Sequence, residues 1–233
     1  MCKVMNIDRN DLCNLLDISL SYVIDEKDEK IEPAFYSSID DNKDNCFAFI
    51  SELKSIRSIL KEDLKFFLDS DPAASSLDEI KIAYPGFKAI AIYRVSHILY
   101  KLGYKVHARY FSEIGHSMTG IDIHPAANIS YPLFIDHGTG IVVGQTSTIG
   151  KYVKLYQCVT LGAISLSNAQ ELRGVVRHPQ VGNYVTIYAG ASLLGAITIG
   201  DNVTIGSNVF LTEDVPSNTR VVIGKPELII KSK

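Results

Sequence analysis

From Val181 onward the chain repeats every six residues. Val181, Ile187, Leu193, Ile199, Ile205 and Leu211 hold one phase, and four places after each come Val185, Ala191, Ile197, Val203, Val209 and Val215. Turn-forming pairs such as Gly182-Asn183, Gly200-Asp201 and Gly206-Ser207 lie between them. A period of six is neither the helical ~3.6 nor the simple alternation of a strand. It fits a chain that makes a short strand, turns and makes another, each strand sending one large aliphatic to a common axis. Recurrent Gly and β-branched residues argue against a helix, and a β-sandwich would show turn signals every ~8–12 residues. The pattern therefore predicts a parallel β-helix, in which stacked coils pair strand on strand.

The sixes reach back to Ile123, Ile129, Ile135 and Ile141, slip by two, and resume at Val143, Ile149, Leu155 and Leu161. They break between Gly162 and Pro179, so a loop over about 163–178 is expected to leave the solenoid. Loops inserted in repeat scaffolds commonly carry binding functions. Before Ile121 the spacing is helical. Apolar residues three and four apart predict helices over Asn6–Asp25, Phe47–Leu68, Ala89–Leu102 and Lys105–Met118, with a charged, irregular loop over Asp25–Asn45. Asp71 before Pro72 reads as the cap of a further helix. The division is thus a helical domain over 1–118 and a solenoid over 119–233, an α+β arrangement.

Composition excludes several function classes. A net charge of −3 offers no basic excess for nucleic acid, and no apolar run approaches the length of a membrane span. The start of the chain leads into no signal-peptide core, so cytoplasmic residence is expected. Cys2, Cys13, Cys46 and Cys158 show no metal spacing, and Cys158, inside a repeat, reads as a small buried residue.

Three strings place ionisable groups in or beside the coils: Asp122-Ile123-His124-Pro125, Asp136-His137-Gly138-Thr139-Gly140 and Arg177-His178-Pro179. A coil of three hexads takes ~18 residues, so Asp122 and His137 are expected on adjacent coils near one edge. A carboxylate behind an imidazole fixes the tautomer and frees the other nitrogen to take a proton.

Taken in order, Asp71-Pro72-Ala73-Ala74, Asp122-Ile123-His124-Pro125-Ala126-Ala127, Asp136-His137-Gly138-Thr139-Gly140-Ile141-Val142-Val143-Gly144 and Arg177-His178-Pro179 closely resemble serine O-acetyltransferases. The resemblance runs from about Asp71 to Pro226. It implies a left-handed coil, trimers often paired into hexamers through the helical domains, and transfer of acetyl from acetyl-CoA to the hydroxyl of L-serine, the first step of cysteine synthesis. It implies no metal. Carried over by motif, His137 is the general base and Asp122 its orienting partner. Asp71 and Asp136 hold the substrate ammonium, and Arg177 and His178 its carboxylate, the Arg as a bidentate fork. An imidazole of ordinary pKa, ~6.5, suits the base at neutral pH. The resemblance further implies a pantetheine groove between neighbouring solenoids, at the small residues Ala163, Ala189, Gly190 and Ser207.

The chain departs from the resemblance in three places. The loop before Arg177 is longer than in many relatives, Val176 stands where they commonly have Asp, and the chain ends Leu228-Ile229-Ile230-Lys231-Ser232-Lys233. A complex with cysteine synthase through a terminal Ile is therefore not expected. Competing readings are an acetyltransferase for a sugar or other hydroxyl acceptor, a zinc carbonic anhydrase using His124, His137 and His178, and a non-catalytic solenoid. The first of these has no need of the Asp71, Asp136, Arg177 and His178 set, which suits a zwitterion; a metal assay decides the second, and the third leaves the acidic and imidazole clusters without a purpose. His124 beside Pro125 reads as structural, and His97, His107 and His116 as packing or surface residues of helices.

Overall fold

The computed structural model describes residues 8–27, 30–164, 170–171 and 173–224. The chain ending discussed above, and residues 165–169 and 172 of the expected loop, lie outside them. Helices α1 (Arg9–Ile24), α2 (Ile31–Ser38), α3 (Lys43–Ser70), α4 (Leu77–Ala83), α5 (Pro85–Lys101) and α6 (Lys105–Thr119) precede a solenoid of short parallel strands.

Two local expectations are corrected. The charged stretch after Asp25 holds α2, because Ile31, Ala34 and Phe35 form one buried stripe and Phe35 meets Phe49 at 5.4 Å between ring centroids. Pro33 sits in the first turn of this helix, where the missing N–H has no intrahelical partner to lose. Asp71 caps no new helix: it terminates α3, and α4 starts at Leu77 under Ser76, whose hydroxyl accepts from Glu79 N at 3.1 Å. A Ser with Glu three places on satisfies the free amides of that turn better than Asp-Pro can.

The solenoid has three faces. The first stacks Asp122–Ile123, Val142–Val143, Thr160–Gly162, Ser192–Leu194 and Phe210–Leu211; the second begins at Asn128–Ile129 and the third at Leu133–Ile135. All strand pairs are parallel, and the expected hexad aliphatics point inward. Ile123 pairs with Val143, Val143 with Leu161, Leu161 with Leu193 and Leu193 with Leu211. Two of these four coils therefore advance 18 residues, the first advances 20 and the third 32. The two extra residues fall at the third-to-first corner, in Asp136–Gly140, and the larger insertion at the first-to-second corner, over 163–178.

Helices α3 and α5 cover the start of the third face. Phe67 and Phe66 meet Phe134 edge-on, at 4.8 and 6.3 Å. Below them Arg94 donates twice to the buried Asp63 carboxylate, at 2.9 Å each, and Asp63 Oδ1 also accepts from Leu133 N at 2.9 Å. One ion pair thus ties two helices and a strand. Gly86, at the start of α5, presses on Ile135: a Cβ there would lie 2.2 Å from the Ile135 carbonyl oxygen.

Candidate active site

His137 projects because its corner carries two residues more than the same corner of the later coils. Its side chain is 70% exposed, its φ is +56°, and Gly138 and Gly140 follow with φ of +83° and +77°. A left-handed backbone is uncommon for a non-glycine residue and often marks function. Here Cys158 and Asn208 repeat it down the same corner, and Tyr152, Tyr184 and Asn202 down another. The conformation therefore belongs to the coil turn, and the insertion is what distinguishes His137. Cys158 lies in one of these turns and is exposed, not buried, its Sγ 3.5 Å from Thr139 O.

Asp136 Oδ1 lies 3.7 Å from His137 Nε2. Asp122 Oδ1 lies 3.8 Å from Arg109 Nη1, and among the described residues no hydrogen bond joins Asp122 to His137. Asp71 approaches from the helices. Its Oδ1 accepts from Ala73 N at 2.8 Å and its Oδ2 from the Tyr84 hydroxyl at 2.7 Å, so both oxygens are held. The Tyr84 phenol is pushed up to about 12, by its bond to Asp71 first, then by burial and the charges of Asp71, Glu79 and Asp136. The Tyr156 phenol is raised as well, by burial first, then Tyr188, Asp136 and Asp71. Asp136 thus lies beside the exposed imidazole, and Asp71 and Asp136 are both near enough to Tyr84 and Tyr156 to raise their phenols. Ala189, Gly190 and Ser207 occupy the same corner in the coils beyond Cys158.

Arg177 and His178 lie at the opposite edge of the first face. The His178 ring packs on Gly144, where a Cβ would come within 2.0 Å of Cδ2. Thr146 fixes both residues: its N donates to His178 Nδ1 at 3.1 Å, and its hydroxyl, 2.7 Å from that nitrogen, accepts from Arg177 N at 3.0 Å and His178 N at 3.2 Å. Nδ1 accepts, so the ring proton is on Nε2. Burial first, then the Arg177 charge, hold the His178 imidazole down to about 4, so at neutral pH the ring is an uncharged donor. Arg177 Nη2 donates to Gln145 Oε1 at 2.6 Å. Ala163 follows the Thr160–Gly162 strand at this edge.

The residues singled out by the sequence therefore fall into two groups. Asp136, His137, Ala189, Gly190 and Ser207 share one corner, to which the helices bring Asp71 through Tyr84; Ala163, Arg177 and His178 share the next, and Asp122 lies on the face between. His124, His137 and His178 are divided in the same way, and no group of three metal-ligating side chains forms among the described residues. His124 Nδ1 accepts from Ala126 N at 3.0 Å, and His107 is buried in α6, both as structural residues. Tyr84, Gln145 and Thr146 were invisible in the sequence because they act through partners 13 and 32 positions away.

Residues 178–213 match the family described as bacterial transferase hexapeptide, six repeats. A plasmid serine acetyltransferase of Synechococcus elongatus is 48% identical over 74% of this chain, which spans about half, 55%, of that relative. The serine acetyltransferase of Helicobacter pylori is 41% identical over 75% of this chain and 98% of its own length. Among solved structures, serine acetyltransferase isoform 3 of Entamoeba histolytica, in complex with cysteine, superposes with TM-score 0.80 at 34% identity, over 94% of this chain and 84% of that one. A serine acetyltransferase in complex with CoA superposes with TM-score 0.69 at 31% identity, over 89% and 81%. The solenoid is the left-handed β-helix of hexapeptide repeats, and the chain belongs to the serine acetyltransferase family of acyltransferases.

Proposed function

We propose that this chain moves the acetyl group of acetyl-CoA to the hydroxyl of L-serine, giving O-acetylserine and free CoA, in sites completed by a neighbouring copy. The observation that carries this reading is the pair of carboxylates beside His137 at one corner, matched by a cation and a neutral donor at the next. A zwitterion needs both halves. The reading is supported by the relatives, one solved with CoA and another with cysteine, an amino acid of the acceptor's size.

In this mechanism Asp71 and Asp136 hold the ammonium, while Arg177 and His178 of the adjacent copy hold the carboxylate. His137 takes the proton as the serine oxygen attacks the thioester carbonyl. The tetrahedral intermediate then expels the CoA sulfur, which leaves with the proton returned by the imidazolium. Asp122 stabilises that imidazolium; catalytic hydrogen bonds of this kind often tighten only around substrate. Pantetheine lies along Ala189, Gly190 and Ser207 of one copy and Ala163 of the next. Closed rotation of head-to-tail contacts makes a ring, and a three-sided prism supports a trimer. The exposed Phe47, Ile82 and Val106 of the helical half are apolar surface suited to pairing trimers into hexamers. Among the described residues no helix is long and apolar enough to cross a membrane.

The test is release of CoA thiol with L-serine set against homoserine, O-phosphoserine, a galactoside and no acceptor. Selective release with L-serine is expected, and a turnover ~10²–10⁴ lower in His137→Ala. Release with the galactoside alone would replace the acceptor, and an active His137→Ala would remove the base.

A further inference from the structure

A cavity of about 680 Å³ opens at the first-to-second corner, between the start of α6 and the segment leading into Arg177. Among the described residues its charged lining is Lys105, Arg109, Arg173 and Arg177, without one Asp or Glu. The whole chain carries −3, so the local potential runs against the molecule's overall sign, and a concave wall of protein focuses it.

The charges are not equally committed. Arg109 is offset from behind by Glu113 and, at 3.8 Å, by Asp122. Arg177 Nη2 is oriented by the Gln145 side-chain oxygen. Lys105 Nζ lies 5.7 Å from the centroid of the Tyr100 ring, with no ion pair among the described residues. His124 also lines the cavity. Burial, then the charges of Arg109, His178 and Arg177, hold its imidazole down to about 4. With Nδ1 accepting from Ala126 N, it is a neutral Nε2–H donor. The wall thus offers cations and a neutral donor, the complement of an oxyanion with more than one negative charge.

We propose that this cavity is an anion site of the phosphate class, adjoining the serine carboxylate position and sharing Arg177 with it. The inference rests on the acceptor site proposed above. The carboxylate of serine brings one charge to Arg177 and His178, and Lys105 and Arg173 are left to meet a second negative group. That group is either a free oxyanion or the second acid of a small dicarboxylate seated in the acceptor site. In both cases it opposes L-serine and leaves the acetyl-CoA groove untouched.

The experiment uses the full chain, with chloride replaced at constant ionic strength by inorganic phosphate, sulfate, malonate or, as a monoanion, acetate. Phosphate and sulfate are expected to raise the Michaelis constant for L-serine and not that for acetyl-CoA. Calorimetric titration of inorganic phosphate is expected to show binding that Lys105→Ala weakens about tenfold, the scale of one charged contact, and that Arg173→Gln also weakens. Malonate inhibition stronger than that of acetate, with the same Lys105 dependence, would identify a dicarboxylate as the second source. Phosphate behaving as chloride, equal affinity in Lys105→Ala, or competition with acetyl-CoA alone would each overturn the site. Absence of CoA release with L-serine in chloride would instead remove the acceptor reading, while the titration would still decide whether the anion binds.

Discussion

Thr146 touches no substrate in the proposed mechanism, yet its amide and hydroxyl between them fix the backbone of Arg177 and the ring of His178. Thr146→Val keeps the shape and removes the hydroxyl. The Michaelis constant for L-serine is expected to rise about tenfold while that for acetyl-CoA holds, as for loss of a hydrogen bond to a binding group. Tyr84 plays the same part for Asp71, and Tyr84→Phe is expected to raise the serine constant ~3–10-fold with turnover nearly unchanged. Steady-state kinetics decide both, and a fall in turnover at constant serine affinity would contradict them. His178 also leaves a mark on stability. Its pKa is about 4 in the fold against an ordinary ~6.5, so folding favours the neutral ring. The contribution is whole above ~6.5 and is lost as pH falls from there to about 4, on the order of 3 kcal/mol. Urea midpoints between pH 7.5 and 5, flattened in His178→Asn, are the check. At this scale the sequence exposed residues whose chemistry is in their own type, such as His137 and Arg177. It hid Tyr84, Gln145 and Thr146, whose contribution is a position and whose partners are distant in the chain.

Among elements, legibility followed periodicity. The hexads declare themselves because each coil repeats one choice, an aliphatic at the axis, and the structure stacks them in the registers that choice dictates. Helix α2 escaped because eight residues give too short a pattern to stand out from the charges around it. The join between helices and solenoid left no periodic trace at all, since it depends on Asp63, Arg94 and the amide of Leu133 meeting in three dimensions. Asp63→Ala would leave a buried guanidinium without its carboxylate and a strand amide without an acceptor. A destabilisation of ~3–5 kcal/mol is expected, read from denaturant midpoints. A loss below ~1 kcal/mol would mean that water reaches Arg94.

For the whole molecule, the separation of His137 from Arg177 across a face predicts complementation between inactive chains. His137→Ala and Arg177→Ala, mixed and reassembled, are expected to regain activity at about a quarter of the sites, those pairing an intact His137 with an intact Arg177 from another copy. Activity no greater than the two variants measured apart would place each site within one chain. Asp71 gives the assembly a further property. It reaches its position from the helical half, whose first turn of α5 is seated on Ile135, one residue before Asp136, with no space for a Cβ between them. Such a contact has no slack. A tilt of the helices cannot be absorbed there and must be passed on as a change in the gap between the Asp71 and Asp136 carboxylates. Under the proposed roles, events at the outer surface of the helices would thus be felt as a change in appetite for the amino acid, with the thioester's proposed berth along the coils beyond left as it was.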